Sequence, residues 1–85
     1  MKAKSRTVIV QWMPYPDKRH KPIPFFEEGL KEDIIYELAG HYFVRTVYGT
    51  VSFTPDDVLI FSREVGIFPM RKNVFEKMYE VIEDV

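Results

Sequence analysis

The apolar positions of the chain change period several times, and each change predicts an element. Over residues 6–13 the β-formers Thr7, Val8, Ile9, Val10 and Trp12 crowd together, which predicts a strand. Val8, Val10 and Trp12 share one face and Ile9 opposes them, so both faces are partly covered. Over residues 25–39 the period lengthens: Phe26, Leu30, Ile34 and Leu38 recur every fourth position, with Ile35 beside them. That stripe predicts an amphipathic helix with Glu27 and Glu28 at its positive end and Gly40 as its stop. Gly29 costs such a helix about 1 kcal/mol against alanine; the alternative is a turn there, with a shorter helix from Leu30.

Residues 41–70 hold four β-rich runs, at 42–47, 50–53, 58–61 and 66–70. Tyr48-Gly49, Thr54-Pro55-Asp56-Asp57 and Arg63-Glu64-Val65-Gly66 separate them as turns. This predicts an antiparallel meander around which the rest is organised. A last helix follows, with Asn73 as N-cap, Val74, Met78 and Ile82 on one face, and Phe75 and Tyr79 beside them. Residues 14–24 carry four of the six prolines and form a connection whose tip is Asp17-Lys18-Arg19-His20-Lys21. The element order predicts one α+β domain over residues 1–85: a small curled antiparallel sheet or partial barrel of four to five strands packed by two helices.

A chain of 85 residues buries only about 60–65% of its unfolded surface. Its seven Phe, five Tyr and one Trp make that core efficient. The absence of Cys excludes disulfides and thiolate metal sites. No apolar run approaches a membrane span, and Val8-Ile9-Val10 is too short for a signal-peptide core. A soluble, cytoplasmic protein is expected. The net charge of −1 hides a split: residues 1–24 hold six Lys/Arg and one acid, residues 25–85 six Lys/Arg and twelve acids. Such asymmetry suits an interaction surface, or a basic arm packed on an acidic body.

Candidate chemistry is thin. Asp56-Asp57 lacks the ligand series of a cation loop and fits a turn in which Asp57 bonds local backbone. His20 and His41 match no zinc spacing, and His41 with Asp57 is the weakest catalytic pairing to consider. No cofactor, metal or catalytic residue is expected. Basic residues interleaved with aromatics, namely Trp12, Tyr15, Arg19, Tyr42, Arg45 and Tyr48, could stack single-stranded nucleic acid, although rings of this kind are usually buried and the acidic helices repel phosphate. Glu27, Glu28, Glu32, Asp33 and Glu37 give the first helix an acidic outer face, which reads as a solvated face or as a patch for a basic partner.

Gln11-Trp12, Gly49, Pro55-Asp56-Asp57, Phe68-Pro69, Phe75 and Tyr79 together resemble a small protein family of tailed bacteriophages and prophages. Its members carry Gln-Trp early, then Gly, Pro-Gly-Asp, Tyr-Pro, and a final helix with Phe and Tyr four apart. The likeness spans most of the chain and is weak over residues 13–40. Asp56 stands where the family has Gly, so the turn is of another type or Asp56 is left-handed. Val65-Gly66 replaces Gly-Glu, and Phe68 replaces Tyr. The resemblance implies a phage origin and a small β-rich fold, and implies no activity.

The functional expectation is a phage accessory protein that binds a host or phage protein, as in host takeover or inhibition of defence. Its contacts would be Lys18, Arg19 and Lys21 on the tip, or Glu28, Glu32 and Asp33 on the helix. The alternative is a small nucleic-acid or nucleotide-binding module using Arg45, Tyr48 and Trp12. A homodimer is a further expectation, since a small chain gains buried area by pairing.

Overall fold

The computed structural model describes residues 2–4, 9–16 and 23–82. In chain order the elements are β1 (Lys2–Lys4), β2 (Ile9–Pro14), α1 (Pro24–Lys31), β3 (Ile35–Leu38), β4 (His41–Thr46), β5 (Gly49–Phe53), β6 (Asp57–Ser62), β7 (Gly66–Arg71), α2 (Lys72–Met78) and β8 (Glu80–Ile82). The class is α+β. The expected single sheet is instead two antiparallel sheets, one ordered β7-β6-β2-β1-β8 and the other β3-β4-β5, and neither closes into a barrel.

The meander breaks between β5 and β6. Those neighbours in sequence lie in different sheets, and the turn between them explains why. The Asp57 amide donates to the Thr54 carbonyl at 2.9 Å. The Asp57 carboxylate accepts from the Thr54 amide at 3.0 Å and from its hydroxyl at 3.1 Å. Pro55 offers no ladder donor. The Thr54 amide, which a two-residue hairpin would bond to the carbonyl of residue 57, is thus satisfied by the Asp57 carboxylate instead. Asp56 does not have a positive φ, so the left-handed backbone considered for it is not adopted.

β6 then enters the five-stranded sheet between β2 and β7. Its Val58-Leu59-Ile60-Phe61 run lacks alternation because both faces are covered. Val58 and Ile60 pack with Val10, Ala3 and Phe75 of α2. Leu59 packs on the other side with Met13, Ile67, Phe25 and Phe26 of α1, and Val44 of β4.

The helix expected over 25–39 ends at Lys31. The Ile34 amide donates to the Gly29 carbonyl at 2.9 Å and the Asp33 amide to the Leu30 carbonyl at 3.3 Å. With Asp33 at φ 63°, this is a Schellman closure carrying Asp in the left-handed site. Residues 35–38 become β3, paired with β4. The four-residue stripe was therefore fortuitous: Leu30 and Leu38 are exposed, while Phe26 and Ile35 are fully buried. Gly29 lies inside α1, neither at a turn nor before a later start, because β3 folds back over it. A Cβ there would stand 2.7 Å from Ile35 Cδ1.

Ala39 and Gly40 form the β3–β4 turn at φ 53° and 80°. Gly40 thus serves a hairpin, not a helix end. Two positive φ values suit Asn-Gly far better than Ala-Gly. Ala39→Asn is expected to stabilise the fold by ~0.5–1 kcal/mol, raising Tm by about 2–8 °C; a thermal melt of the two proteins checks it.

The last helix is shorter than expected and faces differently. α2 begins at Lys72 with no side-chain cap, and the Asn73 side chain accepts only from the Val74 amide at 3.0 Å. Phe75 is the buried residue of α2, whereas Val74 and Met78 are exposed. Ile82 lies on β8, opposite Lys2 of β1. β1 itself went unforeseen, since Lys-Ala-Lys carries no strand pattern.

Candidate functional site

The acidic residues expected on one helix are distributed over three elements, and only two of them frame a concavity. Glu28 on α1 and Glu32 at its C-cap stand one helical turn apart. Both line a groove of ≈ 280 Å³ between α1 and the start of β7. Its floor is apolar: Phe25 stacks on Phe61 at 5.6 Å between centroids, with Ile34 and Ile67 alongside. Gly29 and Gly66 also line it; a Cβ at Gly66 would meet no atom within 4 Å, whereas one at Gly29 would meet Ile35 and Ile67. Neither carboxylate is ion-paired among the described residues. Two exposed carboxylates over a greasy floor match a lysine or arginine side chain, whose aliphatic stem and cationic head want different surroundings.

Asp33 belongs elsewhere. Arg45 donates from Nε to the Asp33 carbonyl at 3.0 Å and from Nη2 to its carboxylate at 3.4 Å. The guanidinium also lies 4.9 Å from the Tyr36 ring centroid. Two residues expected to serve rival functions therefore hold each other. The ion pair is open to solvent, with side chains 56% and 74% exposed, and contributes only about 0–1 kcal/mol. Its position fixes a cation at the carbonyl end of α1, where the dipole favours it.

The other members of the expected nucleic-acid set are dispersed. Trp12 lies on the α2 side of the five-stranded sheet, 4.9 Å from the Phe75 ring, and its indole N–H donates to the Lys2 carbonyl at 3.3 Å. Tyr15 packs on Tyr42 and Phe53 at 5.7 and 5.1 Å. Tyr48 stands at the β4–β5 tip, 93% exposed. Lys18, Arg19 and Lys21, together with His20, lie outside the described residues.

Asp57 is buried in its turn, with Arg71 Nε 3.6 Å from its second oxygen. His41 is exposed at the start of β4, in the other sheet. Among the described residues, no group of three or more His, Cys, Asp or Glu is placed to hold a metal ion.

Burial raises the Tyr42 pKa above its ordinary value of 10.0, with Glu37 and Tyr15 adding to the effect. The folded state thus holds its proton longer than the unfolded chain. That contribution to stability is complete below pH 10.0 and is lost as pH rises through the folded value. Tyr42→Phe is expected to flatten the alkaline fall in stability, measured by urea unfolding on either side of that pH.

A second concavity escaped the sequence reading. Thr46, Tyr48, Val51, Val65, Phe68 and Pro69 line an apolar groove of ≈ 370 Å³ between the β4–β5 tip and β7. The available signal was Val47-Tyr48, a valine and an aromatic in a turn, where polar residues are usual. Glu28 and Glu32 were legible as charge, but the groove they frame depends on Phe61, Gly66 and Ile67, 29 to 39 residues further along the chain. No helix among the described residues is long and apolar enough to cross a membrane. Compared with family models, curated proteins and solved structures, the chain matches none.

Proposed function

We propose that this chain is a phage-encoded accessory protein that acts without catalysis, by receiving a basic segment of a host or phage protein in the α1 groove. One observation carries the reading: Glu28 and Glu32 flank an apolar floor of Phe25, Phe61 and Ile67. A lysine or arginine stem lies on that floor, and its cation sits between the carboxylates as a charge-assisted contact. The phage origin rests on the Gln11-Trp12 to Tyr79 resemblance. Inhibition of a host or defence protein follows if the captured segment is one that the partner uses for its own substrate.

The reading is tested by capture from host lysate with wild type and with Glu28→Lys/Glu32→Lys. Partner captured by wild type is expected to release as salt rises and to bind the double variant at least ~10-fold more weakly. Asp33→Asn, which leaves the groove intact, should capture normally. Capture that survives the double charge reversal overturns the proposal, and so does a released partner consisting of nucleic acid.

A further inference from the structure

The α1 groove meets a bound cation with two different surfaces, and lysine and arginine answer them differently. Glu28 and Glu32 are four residues apart on α1 and its C-cap, about 6 Å along the helix axis. Each carboxylate offers two acceptor oxygens. The floor is aromatic: Phe25 and Phe61 stack at 5.6 Å with 24° between their planes, and Ile34 and Ile67 extend it. A lysine brings a compact, strongly hydrated ammonium with three donors. To reach both carboxylates it sheds water over a floor that returns nothing polar. An arginine brings a flat, weakly hydrated guanidinium whose five donors are set in a rigid fork. The edges of that fork face apart, so one head serves two carboxylates while its plane lies against the rings.

The chain uses both halves of this chemistry elsewhere. Arg71 lies between two neighbouring carboxylates, with Nη1 3.7 Å from Asp56 and Nε 3.6 Å from Asp57. Arg45 donates from Nε and Nη2 to the carbonyl and carboxylate of Asp33, with its guanidinium 4.9 Å from the Tyr36 ring centroid. The α1 groove joins the two elements, paired carboxylates and a ring surface, and no arginine lines it among the described residues. We propose that the groove selects arginine over lysine, so that the basic segment it receives is anchored by a single arginine. This rests on the α1 groove as the binding site and adds the identity of the anchor. Methylation of that arginine keeps its charge and removes donors from the fork. It therefore weakens the contact, whereas a groove that read charge alone would be indifferent to it.

The test uses three tripeptides of equal charge: acetyl-Gly-Arg-Gly-amide, its lysine counterpart and its asymmetric dimethylarginine counterpart. Binding to the full chain is read from the NMR shifts of the Gly29 and Gly66 amides, since both residues line the groove. The arginine peptide should bind with Kd on the order of 1 mM. It should bind at least about fivefold tighter than either of the others. Glu28→Gln and Glu32→Gln should each weaken it and reduce the preference for arginine to less than about twofold. Equal binding of the three peptides, or tighter binding of lysine, with all of them weakened in the glutamine variants, would overturn arginine selection and leave the groove as the binding site. Binding of none of them, or binding indifferent to Glu28 and Glu32, would overturn the groove itself and the arginine anchor with it.

Discussion

Phe75→Ala is expected to destabilise the domain by ~3–5 kcal/mol, out of a total of roughly 4–13 kcal/mol for a chain of this length. Phe75 is the buried residue of α2. Its ring lies 4.9 Å from Trp12 and 5.4 Å from Tyr79, and it packs with Val58 and Ile60 of the central strand. Truncation leaves a cavity beneath a seven-residue helix that has no side-chain N-cap and little intrinsic stability. The helix then has no other buried residue to keep it on the sheet. Trp12 is the chain's single tryptophan, so its fluorescence reports the event directly. The emission should shift to the red, and Tm should fall by about 12 °C or more. A variant with unshifted emission and a small Tm change would mean that α2 is held by something other than Phe75.

Asp57→Ala is expected to cost ~2–3 kcal/mol. The carboxylate accepts from the Thr54 amide and hydroxyl, and sits 3.6 Å from Arg71. Removing it strands donors that lie in a partly buried turn, and hydrogen bonds to charged groups are among the stronger ones, about 1.5–3 kcal/mol each. The ion pair adds less, because the Arg71 side chain is 63% exposed. Asp57→Asn retains one acceptor and should recover part of the loss. Asp56→Ala, whose exposed side chain lies 3.7 Å from Arg71, should change stability by less than ~0.5 kcal/mol. Chemical denaturation of the three variants separates the turn role from a charge effect: equal losses at 56 and 57 would show that charge, not the turn, is what matters.

The β-rich runs at 42–70 were legible because strand propensity and Gly or Pro punctuation agree there. Their pairing was not legible. Between β5 and β6 the Thr54 amide bonds the Asp57 carboxylate and not a ladder carbonyl, and Thr-Pro-Asp-Asp suits either outcome. The helix over 25–39 failed for a related reason. Apolar spacing of four at Phe26, Leu30, Ile34 and Leu38 fits a helix, yet Ile34, Ile35 and Tyr36 equally suit a strand. The deciding features were Asp33 accepting a left-handed backbone and Gly29 letting β3 approach. Neither leaves a periodic trace. Charge reading found Glu28 and Glu32 but grouped Asp33 with them, since its pairing with Arg45 spans twelve positions.

The proposed placement of function on the α1 groove, away from Arg45, Tyr48 and Trp12, is tested most directly by one comparison. Binding of the captured partner, and of a single-stranded oligonucleotide, is measured by calorimetry on wild type, Glu28→Gln/Glu32→Gln and Arg45→Ala/Tyr48→Ala. The expected result is partner binding weakened at least ~10-fold in the glutamine variant, retained in the other, and no oligonucleotide binding by any of the three. Partner or oligonucleotide binding that depends on Arg45 and Tyr48, and is indifferent to Glu28 and Glu32, would contradict it.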